Sequence, residues 1–349
     1  MRRAAHCFTR EFSAKRPGAA LLLVLGFVVL LSFLVVGIMK NAQREILSRA
    51  EDYARPELEI AARSALEATL AVVADFQAID GAVHAPSQGW GDALALAGFE
   101  PVPGEDACRF DAKTLVSVRF RDESARFPLD GLSDEAFRTL MLAIGVPEGE
   151  IDALRDRLAD WTDADDDARA NGAEIDDYEA ENAAAVPPNR ALRDLRELRF
   201  VKGFSEIFFD EAGAPNALFR RLEKTVSPYA SAGQPNVNTA DAETLNALAY
   251  ETDCDVAALL EYREGAGFDG RSGRVFRDAS DLSRVGAESL AGKVSFAVRT
   301  LRVTVTASRG GASLTLEALV EISGAAARGN ATPFRIVERT LDSPAPETP

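Results

Sequence analysis

The sequence predicts an α+β fold, in which an N-terminal transmembrane helix packs on an antiparallel sheet and a large all-α domain is inserted between the sheet strands. Three observations predict it: an apolar run at Ala19–Met39, alternating strand-like segments at Leu115–Phe120 and Thr300–Ile322, and amphipathic helical segments through most of Leu129–Gly286. The simplest fold pairs the early strand with the late ones, so the helical block becomes an insertion in one sheet domain.

The apolar run Ala19–Met39 contains no charged residue, and about 20 such residues in a helix span a hydrocarbon core of roughly 30 Å. The run is longer than the apolar region of a secretory signal, which has about 7–15 residues. Lys40 and Arg44 follow it, and no small-residue cleavage site does. We therefore expect a single-pass helix that stays in the mature protein.

The charge distribution predicts which side of the membrane each part of the chain occupies. The chain of 349 residues has a formal net charge of −16, although its first 18 residues are basic. Because short basic segments stay in the cytoplasm, we expect the acidic body on the far side of the membrane. So acidic a body would repel the phosphates of nucleic acids, and we expect no nucleic-acid partner.

Apolar residues continue at helical spacing from Lys40 to Phe76, and Pro56 predicts a kink or a break in that helix. The segment Gly81–Glu105 is rich in turn residues and is expected to be mostly loop. The helical block then contains several short helices, among them Ser133–Gly145, Glu148–Asp160, Ala217–Leu222, Ala242–Tyr250 and Asp255–Glu264.

Strand signals return near the C-terminal end, where Gly310-Gly311 is typical of a hairpin turn. The proline-rich segment Ser343–Pro349 predicts a disordered tail. The expected strands are Lys293–Phe296, Thr300–Ser308, Ser313–Ile322 and Arg335–Arg339.

Cysteine is scarce, which limits the possible crosslinks. Cys7 lies before the apolar run, and Cys108 and Cys254 lie far apart in the acidic body. We expect two buried thiols rather than a disulfide.

An acidic loop, Asp160–Tyr178, is predicted after the second helix of the block. Asp163, Asp165 and Asp167 stand at positions 1, 3 and 5 of a 12-residue window, with Asn171 at position 9 and Glu174 at position 12. This is the ligand spacing of an EF-hand calcium loop. The usual glycine at position 6 is replaced by alanine, and no standard helix is expected after the window. Two interpretations stay open: a calcium site of another geometry and a solvated acidic loop.

No sequence motif indicates a catalytic site. The only histidines are His6, before the apolar run, and His84, in a predicted loop, so a histidine-based triad or zinc site is hard to build. There is no phosphate-binding glycine motif. The segment Asn236–Ala240 is typical of a helix start, whose polar side chains satisfy backbone groups. The sequence therefore predicts a protein that is not an enzyme.

Four groups of residues, taken in order, resemble the minor pseudopilin K of the bacterial type II secretion system, also called general secretion pathway protein K. They resemble its prepilin-peptidase site and first helix, its strand exit, its acidic block and its later helical motifs. The residues are Arg16-Pro17-Gly18 with the apolar run from Ala19, Asp122–Phe127 (DESARF), Leu158–Asp165 (LADWTDAD) with Asn171–Glu174 (NGAE) and Tyr178, and Pro188–Leu192 (PNRAL) with Glu197–Arg199, Val201–Gly203 and Asn236–Ala240 (NVNTA).

The resemblance implies that a prepilin peptidase cuts after Gly18 and that the new N-terminus, Ala19, is methylated. It also implies a structural subunit at the tip of the pseudopilus, which assists its initiation and protein export across the outer membrane. Leu23 stands at the fifth mature position, where other pseudopilins carry glutamate. Because a lipid-embedded glutamate needs a partner, such as the terminal amine of a neighbour, a subunit with none ahead of it can dispense with that residue.

The resemblance further implies partners, a location and a metal. The partners are the minor pseudopilins I and J, the prepilin peptidase, and the major pseudopilin and inner-membrane assembly platform. The location is the bacterial inner membrane, with a cytoplasmic N-terminus and a periplasmic body. The metal is calcium in the helical domain, held by Asp160, Asp163, Asp165 and Glu174, with Asp167, Asn171 and Asp177 as further possible ligands.

With the family as a guide, the chain divides into six parts. Residues 1–18 form a prepilin leader and 19–39 the transmembrane helix. Residues 40–128 and 287–341 form the two parts of a pilin-like domain, and 129–286 form the inserted helical domain with the acidic loop. Residues 342–349 form the tail.

Two other functions remain as alternatives. The chain could be a membrane-anchored periplasmic calcium-binding or hydrolytic module unrelated to pilus assembly. It could also bind DNA through the helix pair that Asn236–Ala240 opens, although the local charge disfavours this.

Overall fold

A computed structural model describes residues 17–230, 234–250, 252–265, 273–323 and 334–342. It confirms the predicted α+β fold: one antiparallel sheet of six strands in the order β1-β2-β3-β4-β5-β6, with most helices between β3 and β4. The strands are β1 Glu100–Pro101, β2 Cys108–Arg109, β3 Leu115–Asp122, β4 Thr300–Arg309, β5 Ala312–Ile322 and β6 Phe334–Asp342. The helices are α1 Pro17–Asp80, α2 Ala93–Leu96, α3 Asp134–Ile144, α4 Glu148–Thr162, α5 Ile175–Ala180, α6 Phe204–Phe208, α7 Ala217–Thr225, α8 Ala242–Ala249, α9 Val256–Glu264 and α10 Ala279–Leu282.

The chain forms two units, Met1–Glu57 and Leu58–Pro349. The first contains the N-terminal part of α1, in which Leu21–Asn41 has a mean hydropathy of 3.1 and is long and apolar enough to cross a membrane. The predicted leader, apart from its last two residues, and the predicted tail, apart from Asp342, lie outside the described residues.

The break predicted at Pro56 is wrong, because α1 includes this residue. A proline inside a helix removes one backbone hydrogen bond and costs about 3 kcal/mol. The residues that follow, including Leu58, Ala61 and Ala62, are buried in the second unit, which favours helix on that side of the proline.

Within the second unit, β3 pairs with β4 along its whole length, from Leu115 opposite Ser308 to Asp122 opposite Leu301. The predicted hairpin between β4 and β5 is confirmed, because Gly310 and Gly311 have φ values of 57° and 90° that glycine adopts without strain. The early and late strands therefore share one sheet, and the helical domain lies between them in the chain.

The segment predicted to be mostly loop contains only short elements, among them the two-residue β1. One local prediction about strands is wrong. The strand predicted at Lys293–Phe296 is a single parallel bridge between Ser295 and Asn236, because its neighbour is a loop of the helical domain. Cys108 and Cys254 are free and only partly buried, whereas two buried thiols were expected.

The last part of α1 presents small and apolar residues on one buried face, at Ala61, Ala65, Leu66 and Val73. The Gln77 side chain donates a hydrogen bond to the carbonyl oxygen of Ser323, the residue directly after β5. On β4 and β5 the residues that alternate toward the interior are also fully or nearly fully buried: Leu301, Val303, Val305, Ala307, Leu314, Leu316 and Ala318. Helix and sheet thus bury their apolar faces in one layer pair.

The helical domain has a large core of its own. Helix α3 begins where the Ser133 hydroxyl accepts a hydrogen bond from the backbone N–H of Ala136, and it ends at Gly145, whose φ is 97°. Between these caps Phe137, Leu140 and Met141 are buried. They belong to one continuous cluster that includes side chains from α3 to α10, as expected for a domain with its own core.

A buried carboxylate joins this domain to the sheet. Asp122, the last residue of β3, accepts hydrogen bonds from the backbone N–H of Ser124 at 2.9 Å, from Asn236 Nδ2 at 2.8 Å and from Thr239 Oγ1 at 2.6 Å. Asn236 Nδ2 also donates to the carbonyl oxygen of His84 at 2.9 Å. The asparagine and threonine predicted to satisfy backbone groups therefore also satisfy a carboxylate.

We expect Asn236→Ala to lower the free energy of unfolding by about 1–3 kcal/mol, because it removes one of the donors to the buried Asp122 carboxylate and the side-chain donor to the His84 carbonyl oxygen. Chemical denaturation of the full chain in detergent measures this. Ser289→Ala, at an exposed position outside the core, is the control and should stay within about 0.5 kcal/mol of the unmutated chain. Equal losses in both variants would contradict a tethering role for Asn236.

Candidate metal centre

The acidic loop is shorter than the predicted 160–178. Helix α4 continues to Thr162 and α5 begins at Ile175, so the loop covers 163–174. The expectation that no helix follows the window is wrong, because α5 occupies Ile175–Ala180. Asp160 therefore lies in the last turn of one helix, and Glu174 directly precedes the next.

Aromatic packing fixes the two ends of the loop. The rings of Trp161, on α4, and Tyr178, on α5, have centroids 5.4 Å apart, and both side chains are buried. Tyr178 Oη accepts a hydrogen bond from the backbone N–H of Lys202 at 3.0 Å, and burial raises the pKa of this tyrosine to about 12. The loop is thus closed by a rigid contact between its flanking helices.

Three of the predicted ligands meet inside the loop. One carboxylate oxygen from each of Asp163, Asp165 and Glu174 lies within 4.8 Å of the others. Asp165 is exposed, whereas Glu174 is only 5% exposed. Both Glu174 oxygens and Oδ1 of Asp163 are buried without a hydrogen-bond partner among the residues that the structure describes. Buried carboxylate oxygens without partners are costly, and a cation would remove that cost.

Asp160, in the last turn of α4, is completely buried beside the loop. Its Oδ2 accepts a hydrogen bond from the backbone N–H of Arg169 at 3.2 Å, and its Oδ1 has no hydrogen-bond partner within the described chain. A Cβ atom at Gly172 would lie 1.8 Å from Asp160 Oδ2, so only glycine lets the loop pass this close. The glycine therefore explains how Asp160 can sit beside the three clustered carboxylates.

The electrostatics of the loop match its geometry. Burial, together with the negative charges of Asp160 and Asp163, raises the pKa of Glu174 to about 7. Burial also raises the pKa values of Asp160 and Asp163. The nearest counter-charge is Arg169, whose Nε lies 3.7 Å from Asp160 Oδ1 and whose side chain is 45% exposed. The surrounding residues thus do not neutralise all of the negative charge of these carboxylates.

The other predicted ligands are not part of this group. The Asn171 side chain donates to Asp156 Oδ2 at 2.9 Å, and Asp177 Oδ2 accepts from the backbone N–H of Glu174 at 3.0 Å. Asp167 is exposed. Asp167 and Asn171, at positions 5 and 9 of the EF-hand window, therefore do not converge with the residues at positions 1, 3 and 12. This favours a calcium site whose geometry differs from that of an EF-hand, as the alanine at position 6 already suggested.

Asn189 is a neighbour that the sequence did not single out as a possible ligand. Its Nδ2 lies 3.2 Å from the carbonyl oxygen of Asp165 and 3.2 Å from Asp166 Oδ1, and it donates to both. Its Oδ1 is buried without a hydrogen-bond partner in the described residues. The residue has a φ of 47°, an unusual value for a non-glycine residue that only the structure reveals.

The clustered donors are therefore oxygens alone, the carboxylates of Asp163, Asp165 and Glu174. The buried Asp160 carboxylate lies beside the loop, and the Asn189 side chain contacts the loop at Asp165 and Asp166. Hard divalent cations such as Ca²⁺ and Mg²⁺ prefer such ligands, whereas zinc favours nitrogen and sulfur. The partnerless oxygens and the glycine that lets the loop approach Asp160 both fit a cation of this class.

Comparisons with known proteins agree with the motifs. Residues 108–229 match the family model described as type II secretion system (T2SS), protein K. The type II secretion system protein K of Pseudomonas aeruginosa is 34% identical over 196 residues, which are 53% of this chain and 54% of that protein. The protein of the same name from Klebsiella pneumoniae is 30% identical over 159 residues, 43% of this chain and 42% of that protein. The aligned regions thus span about half the length of these curated relatives.

The fold also has a solved counterpart. A chain in the crystal structure of the GspK-GspI-GspJ complex from the type 2 secretion system of enterotoxigenic Escherichia coli aligns with a TM-score of 0.54 and 18% identity. The alignment covers 86% of this chain and 99% of that one. At this identity the match shows the fold. Together with the family model and the curated relatives, it confirms the resemblance of this chain to protein K of the type II secretion system.

Proposed function

We propose that this chain is a structural minor pseudopilin at the tip of the type II secretion pseudopilus, where it assists initiation of the fibre and protein export across the outer membrane. The observation that carries the proposal is the order of its parts: a membrane-length helix, then the strands β2 and β3 and the helices α3 to α7, which lie in the protein K match at residues 108–229. The family is a structural one, which agrees with the lack of a catalytic motif in the sequence.

The proposed partners are the minor pseudopilins I and J. The solved chain that shares this fold is part of a GspK-GspI-GspJ complex. Co-purification of the full chain with the I and J subunits of the same organism, in detergent, is the direct experiment. Failure of the three proteins to co-purify under conditions where I and J associate with each other would count against the proposal.

The N-terminal helix supports assembly rather than simple anchoring. Gly18 and Ala19 lie in the first turn of α1, at the start of the apolar run. Cleavage between them would place a free amine directly at the end of the membrane-spanning helix. Leu23, where other pseudopilins carry glutamate, would then make no charge pair with a subunit ahead of it, as a tip position requires.

We expect N-terminal sequencing of the chain made together with a prepilin peptidase to start at a methylated Ala19. Without the peptidase it should start at Met1, and Gly18→Ala should block the cut because the residue before the scissile bond is changed. Gly26→Ala, inside the same helix and with open space around its Cα, is a matched control that should be processed normally. A Met1 start in the presence of active peptidase would contradict the proposal.

We further propose that the acidic loop binds calcium on the far side of the membrane. Asp163, Asp165 and Glu174 would be direct ligands, with Asp160 and Asn189 as additional oxygen donors. The partnerless buried oxygens and the raised pKa of Glu174 support the proposal. A bound ion would replace repulsion between carboxylates by attraction and hold the ends of α4 and α5 together.

Calcium should raise the melting temperature of the full chain in detergent, since a ligand that binds only the folded state stabilises it by about 2.7 kcal/mol at 100 times its Kd. Asp163→Ala combined with Glu174→Ala should remove this effect in scanning fluorimetry. Asp176→Ala combined with Glu179→Ala removes the same charge from exposed positions on α5 and should keep it. Equal melting of the unmutated chain in calcium and in chelator would contradict the site.

The pH dependence of the calcium-free chain offers an independent check. The folded-state pKa of Glu174, about 7, lies above its ordinary value of 4.5, so the folded state binds more protons between these values. Its contribution to stability is present below about pH 4.5 and is lost as the pH rises toward 7. Denaturation at several pH values should therefore show a steeper fall for the unmutated chain than for Glu174→Gln. Identical pH profiles would show that Glu174 does not titrate as described.

A further inference from the structure

A polar cleft of about 440 Å³ opens where β3, β4 and the helical domain meet, away from the acidic loop. Five arginines line it, from three separate parts of the chain: Arg121, Arg126, Arg193, Arg196 and Arg302. The chain as a whole carries a net charge of −16, so a cleft with this many guanidinium groups is not a consequence of composition.

A single buried carboxylate serves three of these arginines. Glu123 is completely buried, and its Oε1 lies 2.7 Å from Arg302 Nε and 2.9 Å from Arg121 Nη2. Its Oε2 lies 3.5 Å from Arg126 Nη1 and accepts a hydrogen bond from Ser227 Oγ at 2.6 Å. Although burial alone would raise the pKa of Glu123, these partners outweigh it and hold the pKa below its ordinary value. Glu123 is therefore an anion that fixes the guanidinium groups in place.

The positive charge of this group exceeds what Glu123 neutralises. Arg302 has a second partner in Glu317, at 3.4 Å, but Arg121 and Arg126 share the one carboxylate. Burial and the nearby positive charge of Arg121 lower the pKa of Arg126, as expected for crowded cations. Each guanidinium has five N–H donors, so donors remain for a further oxyanion.

Arg193 and Arg196 complete the rim of the cleft. Both residues are exposed, and in the described part of the chain no acidic side chain lies within ion-pair distance of either guanidinium. Tyr229 positions this rim: its Oη lies 3.0 Å from the carbonyl oxygen of Arg193, and its ring lies 5.0 Å from the guanidinium carbon of Arg302. Two cations without an ion-pair partner in the described residues thus line the cleft beside the three arginines that Glu123 holds.

We propose that this cleft binds a ligand with two or more carboxylate groups. The planar guanidinium fork matches carboxylate geometry in paired hydrogen bonds. Asp194, Glu223 and Glu317 also line the cleft. They would repel a phosphate group more strongly than a carboxylate group, because the phosphate group carries the greater negative charge, and this favours carboxylates. The volume lies within the roughly 300–1,000 Å³ usual for ligand sites. The carboxylates can come from an acidic protein segment or from a free polycarboxylic acid.

The test is a titration of the full chain in detergent with two probes, a fluorescent pentaglutamate peptide and citrate; pentaglutamine is the uncharged control peptide. We expect at least one carboxylate probe to bind and Arg193→Ala combined with Arg196→Ala to weaken its binding about tenfold, or about 1.4 kcal/mol. Arg119→Ala combined with Arg220→Ala removes the same charge from exposed positions outside the cleft and should leave the affinity unchanged. Unchanged melting temperatures of both variants exclude misfolding.

The two probes separate the sources of the ligand. Tighter binding of pentaglutamate indicates an acidic protein segment, and tighter binding of citrate indicates a free acid. Binding of neither probe overturns the proposal. Equal weakening by the two double variants also overturns it, because that result would reflect overall charge rather than the cleft.

Discussion

The pairing of β3 with β4 is the constraint on which the rest of the second unit depends. It places Asp122 opposite Leu301, although the whole helical domain lies between them in the chain. Both ends of that domain are therefore held at the same end of the β3–β4 pair. The hydrogen bonds of Asp122 to Asn236 and Thr239 then fix the domain from within. The same strand exit carries Arg121 and Glu123, so the cleft of arginines exists only because this junction is closed.

The acidic loop and the arginine cleft carry an excess of charge of opposite sign. In the loop, carboxylates crowd together with only one partly exposed arginine nearby, so burial and repulsion favour protons or a cation. In the cleft, guanidinium groups crowd around a single carboxylate that stays ionised because its partners outweigh its burial. Packing of Trp161 against Tyr178 holds the loop without using its charges, whereas in the cleft the ring of Tyr229 contacts the charged guanidinium of Arg302 in a cation–π interaction.

The sequence predicted those features that depend on local periodicity. The alternation in β4 and β5 and the Gly310-Gly311 turn identified the hairpin, and the cap at Ser133 identified α3. The acidic spacing included Asp163, Asp165 and Glu174, which do converge, but also Asp167 and Asn171, which do not join this group. Which side chains converge depends on where α4 ends and α5 begins, and tertiary packing decides this. Asn189 and the five arginines come from separate segments, and no spacing in the sequence relates them.

The insertion between β3 and β4 also has a consequence for biosynthesis. As the chain emerges, β3 has only the two-residue β2 as a neighbour until every residue between Asp122 and Thr300 has followed it. Over that interval one edge of β3 is open, and open strand edges are templates for aggregation. The helical domain, whose contacts are more local, can fold first and bring the two halves of the sheet domain together. Early folding of the insertion would therefore shorten the time during which β3 is available to the wrong partner.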